Sequence, residues 1–268
     1  MSLMYGLVGR AGSGKDTVAA HLVDHYGFVK LAFADKVKQV CSLVYDIPLE
    51  VFYNREERLK PHPHLSGQWL LQGRDPVTLG SFLDGVFLDL FGSLEHASHG
   101  RRIFIELLPE NCTPRQALQL IGTEGFRACC DTVWIDYVMR EAAKLLDTGH
   151  NIVVSDVRFS NELVGVIRNG GAGIGISRRN LVESYNHASE NEVDEVMDGC
   201  EAVLSNNASI AELHAKVDRL LLARCSASDL MLKSLRNEVA AWQSRFPHHE
   251  YREEYSCIAP KRDFEVPV

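Results

Sequence analysis

Apolar positions along the chain alternate between two periods. Leu3 to Val8 is a short apolar run ending against Gly9, and it predicts a central strand. From Asp16 to His25, Val18, Ala19 and Leu22 recur at helical spacing. Phe28 to Phe33 reads as a second strand. Lys36 to Tyr45 then places Val37, Val40, Leu43 and Val44 on one helical face.

From about Pro48 to Pro114 the pattern is less regular. It contains Pro61-His62-Pro63 and the glycines Gly73, Gly80, Gly85, Gly92 and Gly100. Leu79 to Leu94 reads as helix and much of the remainder as loop. Regular spacing returns at Pro114, where Thr113 suits an N-cap and Pro114 the first helical position. A helix follows over Thr132 to Leu146, and a buried strand over Asn151 to Ser155. A helix through Leu163, Val166 and Ile167 closes at Gly170-Gly171. Ala172 to Ser177 and Ala202 to Leu204 predict two more strands, and Ile210 to Leu222 an amphipathic helix. Strands alternating with helices predict a parallel sheet covered on both faces, an α/β fold. The stretch from Ser226 to about Trp242 reads as one helix, followed by a polar tail.

Composition narrows the setting. The chain has 268 residues, 46% hydrophobic and 24% charged, with a formal net charge of −8. That balance is ordinary for a globular protein and disfavours a nucleic-acid or membrane-surface partner. No apolar run approaches the roughly 20 residues of a membrane helix. No basic segment precedes the apolar start, so a signal peptide is not expected. The 7 cysteines contain no C-x-x-C pair, which points to a reducing cytoplasm.

The strongest local signal is Gly9-Arg10-Ala11-Gly12-Ser13-Gly14-Lys15-Asp16-Thr17, between a strand and a helix. Glycines let such a loop turn its amides onto phosphate oxygens, and the helix N-terminus adds positive potential. Lys15 would reach the β- and γ-phosphates of a nucleotide. Asp16 stands where a Ser or Thr usually meets Mg²⁺, with Thr17 next. Either Thr17 or a water held by Asp16 would take that place.

A second signal is the apolar strand ending in Ser155-Asp156, with Arg158 and Glu162 following. A carboxylate and a guanidinium at one strand end suit a phosphorylated, hydroxyl-bearing acceptor. The alternative is an internal Asp156–Arg158 ion pair.

Together these segments resemble the phage-type deoxynucleoside monophosphate kinases. The resemblance rests on GRAGSGKDT (Gly9 to Thr17), KLAFADKVK (Lys30 to Lys38) and FYNRE (Phe52 to Glu56). It rests also on RQALQLIGTE (Arg115 to Glu124), Trp134 and SDVRFSNE (Ser155 to Glu162). HASE (His187 to Glu190) and the segment Val203 to Leu213 match more weakly. The matches span about residues 3 to 222, leaving out Pro61 to Thr113.

The resemblance implies a three-layer P-loop kinase fold over residues 1–225. An inserted, largely helical lid and substrate region would occupy about 61–113, with lid material within Leu65 to Asn111. Residues 226–268 would form a C-terminal helix and tail. It implies ATP on Gly12, Ser13, Gly14, Lys15, Asp16 and Thr17, with Mg²⁺ near Asp16 and Thr17. It implies an acceptor held by Val37, Lys38, Arg55, Gly122, Thr123, Trp134, Asp156, Arg158 and Glu162. Lys15, Arg55, Asp156 and Arg158 would serve transfer, and Trp134 would wall the base. Some members carry paired arginines where this chain has Arg115-Gln116, and basic loop residues where it has Ala11-Gly12.

The implied reaction is ATP plus dNMP giving ADP plus dNDP, in the cytoplasm, of a host if the gene is viral. Homodimerisation stays open. The rival readings are a P-loop kinase of another phosphorylated metabolite, a DNA-associated ATPase, and a non-catalytic nucleotide-binding module.

Overall fold

The structure, a computed structural model, describes residues 2–92, 97–179 and 192–224. The expected tail helix from Ser226 and the HASE segment lie outside the described residues. The chain divides into two units, Met1–Lys216 and Val217–Val268, and the first holds the sheet.

Five parallel strands form one sheet in the order β2-β3-β1-β4-β5. They are β1 (Met4–Val8), β2 (Val29–Leu31), β3 (Ile152–Val157), β4 (Ala172–Ser177) and β5 (Ala202–Ser205). Every residue of β1 is buried, as expected of a central strand covered on both faces. Side chains alternate across it. Met4 and Val8 join Ile152 and Val154 in the main apolar core. Tyr5, on the other face, stacks on Phe28 with ring centroids 5.9 Å apart.

The first helices are α1 (Lys15–Tyr26), α2 (Phe33–Tyr45) and α3 (Leu49–Tyr53). Helix α2 begins three residues before the apolar stripe predicts, and β2 ends correspondingly early. The reason is non-local. The carboxylate of Asp156, on β3, accepts the amides of Phe33 at 2.8 Å and Ala34 at 2.9 Å. It thereby caps α2, whose own N-cap residue Ala32 offers no side-chain acceptor.

The irregular stretch folds into α4 (Gly67–Leu71), α5 (Pro76–Phe91) and α6 (Ala97–Glu106). Their side chains enter the main core rather than standing off it as a separate flap. Phe87 of α5 lies 5.7 Å from Phe104 of α6 and 5.4 Å from Phe126. Gly100 permits the crossing: a Cβ there would sit 2.1 Å from the Phe87 ring. Leu65, Leu70, Leu83 and Leu90 are buried in the same core. The segment expected as lid is therefore part of the packed body.

Thr113 and Gln116 form a reciprocal capping box at the start of α7 (Pro114–Gln119), with Pro114 in its first turn. The helix does not end at Gly122-Thr123-Glu124. It widens into a π-helical segment, Leu120–Arg127, before α8 (Val133–Asp147). Helices α9 (Ser160–Arg168) and α10 (Val193–Asp198) follow β3 and β4 respectively. A last helix starts at residue 210.

Candidate active site

The loop between β1 and α1 lies at the C-terminal edge of the parallel sheet, where this architecture binds ligands. Gly9 has φ 156° and Gly14, the α1 N-cap, has φ 108°. A Cβ on Gly9 would sit 2.5 Å from the Ile176 carbonyl, and one on Gly14 would sit 2.4 Å from Asn206 Nδ2. Only glycine fits both places. No side chain caps α1, so its N-terminus keeps its positive end toward the loop. The Ser13 hydroxyl is buried without a hydrogen-bond partner among the described residues. A tight amide cradle with an unused hydroxyl fits an oxyanion.

Neighbouring strands brace this loop. Asn206, just past β5, donates its amide Nδ2 to the Ser13 carbonyl at 2.8 Å. Arg178, just past β4, reaches the Gly12 carbonyl at 3.4 Å. Lys15 Nζ donates to the carbonyls of Gly9 and Arg10, the latter at 3.0 Å. Arg10 itself pairs with Asp194 at 2.8 Å.

A cavity of about 570 Å³ opens beside the loop. Ala11 of the loop lines it, with Val37 of α2 and Gly122 and Thr123 of the π-helical segment. Trp134, Asp156, Arg158 and Glu162 line it as well. The structure thus gathers seven of the expected acceptor residues around one space. Three of them turn out to be anchored within the protein.

Trp134 is only 2% exposed, and its Nε1–H donates to the Gly122 carbonyl at 2.9 Å. It supports the π-helical segment from behind more than it presents a ring face. Asp156 has one oxygen on each of the two α2 amides. Its carboxyl is held above the usual range, burial outweighing those amides and Arg158. Glu162 is 3% exposed. One of its oxygens pairs with Arg127, and the other accepts the amides of Arg158 at 2.7 Å and Phe159 at 3.2 Å. Burial, aided by the charge of Asp156, pushes its carboxyl up to about 7 against the pull of Arg127. Both oxygens of this carboxylate are engaged inside the protein.

Other expected residues are not gathered here. Lys38 pairs with Asp35 at 2.8 Å and sits 4.0 Å from the centroid of Tyr53, outside the cavity lining. Tyr53 completes that group through a 2.8 Å hydrogen bond to Asp35. Arg55 is exposed and does not line the cavity, whereas Arg58, one turn later, does. Asp16, its side chain 91% exposed, lies 3.6 Å from Lys30. With Thr17 it lines a separate cleft on the flank of α1, together with His21, His25 and His214.

Arg58 and Arg127 line the cavity without having been singled out in the sequence, and Arg115, a candidate basic residue of the Arg115-Gln116 segment, lines it too. Arg127 packs over the Phe159 ring at 4.2 Å. Its signal in the sequence was its distance of four residues from Thr123, which places both on one flank of a helix that continues.

Two viral proteins are similar to the chain in sequence. An Acanthamoeba polyphaga mimivirus protein, named by inference a deoxynucleotide monophosphate kinase, is 27% identical over 230 residues. That match covers 80% of this chain and 94% of the relative. The deoxynucleoside-5'-monophosphate kinase of Escherichia phage T5 is 27% identical over 188 residues, 60% of this chain and 70% of the relative. The family resemblance read from the sequence motifs is met by both. No family model matches the chain. Among solved structures, the dephospho-CoA kinase from Campylobacter jejuni aligns with a TM-score of 0.44 at 12% identity. The alignment covers 85% of this chain and all of that one.

Proposed function

We propose that the protein transfers the γ-phosphoryl group of ATP to the phosphate of a deoxynucleoside monophosphate, yielding ADP and a deoxynucleoside diphosphate. One observation carries the reading. The phosphate loop, through Ala11, and Arg158 line the same cavity of about 570 Å³. A donor phosphate on the loop and an acceptor phosphate at Arg158 would face each other across it. The names of the two viral relatives support the same substrate class.

The chemistry asks little of a base. The attacking oxygen belongs to an acceptor phosphate already ionised at neutral pH. A bond forms from it to the γ-phosphorus while the bond from that phosphorus to the β–γ bridging oxygen breaks. What the site supplies is alignment and charge neutralisation. Lys15 and the loop amides take the donor phosphates, and Arg158 with the neighbouring guanidiniums takes the acceptor. Asp156 and Glu162 act through others: the first fixes α2, the second fixes Arg127 and the turn at Arg158.

Magnesium suits this reading, because it binds hard oxygens, keeps several waters and needs only one or two protein ligands beside substrate phosphates. Asp16 and Thr17 offer such oxygens in the first turn of α1. The ion would supply neutralisation of the triphosphate. Free nucleotides in the cytoplasm, of a host cell if the gene is viral, would be the substrates. Among the described residues no helix is long and apolar enough to cross a membrane.

The test is a coupled assay with ATP and magnesium over all deoxynucleoside and ribonucleoside monophosphates. Turnover on at least one deoxynucleoside monophosphate, abolished by Lys15→Ala in a folded protein, is expected. Transfer only to a non-nucleotide phosphate ester, or DNA-stimulated hydrolysis without transfer, would overturn the reading.

A further inference from the structure

We infer that Arg58 is a ligand of the acceptor phosphate, in the place that the sequence motif assigns to Arg55. The inference rests on the acceptor-site reading above and adds a residue to it.

Among the described residues four arginines line the cavity: Arg58, Arg115, Arg127 and Arg158. Among the described residues two carboxylates, Asp156 and Glu162, line it with them, and burial raises the pKa of both. In a chain of net charge −8 this is a local concentration of positive charge, and it matches a dianionic phosphate. Arg127 is already engaged by Glu162 and the Phe159 ring. The Arg58 Nε is buried and has no hydrogen-bond partner among the described residues. A buried N–H without an acceptor is costly to maintain, and a phosphate oxygen in the cavity would remove that cost once the guanidinium turns to present it.

Arg58 is also held in place. Its backbone amide donates to the Asn54 carbonyl at 3.1 Å. The Asn54 side chain accepts the amides of Glu56 at 2.9 Å and Glu57 at 3.1 Å, closing the turn. Helix α3, just before it, is fixed by the fully buried Phe52. This tight turn separates Arg55 from Arg58: the first goes to the surface, the second into the cavity. A guanidinium fork on a braced turn is suited to bidentate contact with phosphate.

Two measurements test this. First, inorganic phosphate is titrated against Lys15→Ala protein, whose donor loop is weakened, following thermal stabilisation. The stabilisation is expected to persist in Lys15→Ala/Arg55→Ala and to disappear in Lys15→Ala/Arg58→Ala. Equal shifts in both double variants, or no shift in Lys15→Ala, would overturn the inference. Second, with Lys15 intact, Arg58→Ala should raise the acceptor KM about ten- to hundred-fold and leave the ATP KM within about two-fold. Arg58→Lys, which keeps the charge and loses the fork, should recover part of that. An unchanged acceptor KM in Arg58→Ala would overturn the assignment. Phosphate binding that depends on Arg58, in a protein with no turnover on any nucleoside monophosphate, would retire the proposed reaction and leave the anion site standing.

Discussion

Trp134→Phe separates two roles for one buried ring. As a wall for the acceptor base, the indole would contribute mainly to substrate affinity. The structure gives it another task, because its Nε1–H satisfies the Gly122 carbonyl at 2.9 Å inside the π-helical segment. Its ring also packs edge-on against Phe126, 5.4 Å between centroids. Phenylalanine keeps an aromatic ring but removes the donor and the second ring. Leaving a buried carbonyl without its partner costs about 1–3 kcal/mol. The lost apolar contact adds about 1 kcal/mol. A total near 3 kcal/mol, at about 2–4 °C per kcal/mol for a chain of this size, lowers Tm by about 6–12 °C. Thermal unfolding by circular dichroism reads that shift, and the coupled assay reads the acceptor KM on the same preparation. The expected pattern is a clear loss of Tm, a rise in acceptor KM below about ten-fold, and an unchanged ATP KM. An unchanged Tm together with a large rise in acceptor KM would refute the packing argument and restore Trp134 as a base contact.

Gly100→Ala should overpack the α5–α6 crossing, since its Cβ would fall 2.1 Å from the Phe87 ring. A loss of about 1–3 kcal/mol with unchanged KM values is expected, and a Tm equal to wild type would contradict the close packing. Arg158→Ala should weaken the acceptor far more than ATP; equal losses for both substrates would make Arg158 a purely structural residue. Glu162 sets a pH dependence. Its folded-state pKa, near 7, lies above the unfolded value of about 4.5, so its contribution to stability is full below the unfolded value. That contribution is lost as pH rises through about 7. The stability of wild type relative to Glu162→Gln should therefore fall between about pH 4.5 and 7.5 in urea titrations, and a flat or rising difference would overturn the burial argument.

What the sequence made legible was local. The phosphate loop could be read because its glycines, its lysine and the flanking strand and helix lie within a few consecutive residues. The capping box at Thr113 and Gln116 was half legible for the same reason: the cap was recognised and its reciprocal partner was not. The start of α2 was not legible. Its cap is Asp156, 123 residues from Phe33, and no window along the chain contains both. The π-helical segment escaped because one extra residue per turn leaves no mark in the spacing of Ile121, Gly122 and Phe126. At Arg55 and Arg58 the motif supplied the right kind of side chain, and the short turn at Asn54 decided which of the two faces the cavity. Glu162 looked like a substrate reader because nothing in its sequence neighbourhood reveals Arg127, 35 residues away.

The grip of Lys15 on the Gly9 and Arg10 carbonyls sets a penalty that any ligand of the loop must meet. A ligand at this loop must outcompete two backbone oxygens for one ammonium, so its apparent affinity is scaled by the fraction of molecules whose lysine has turned outward. That fraction scales the affinity of every phosphate ligand alike, so the two carbonyls lower the occupancy of the loop at a given nucleotide concentration and leave its preference among phosphates to the contacts made afterwards.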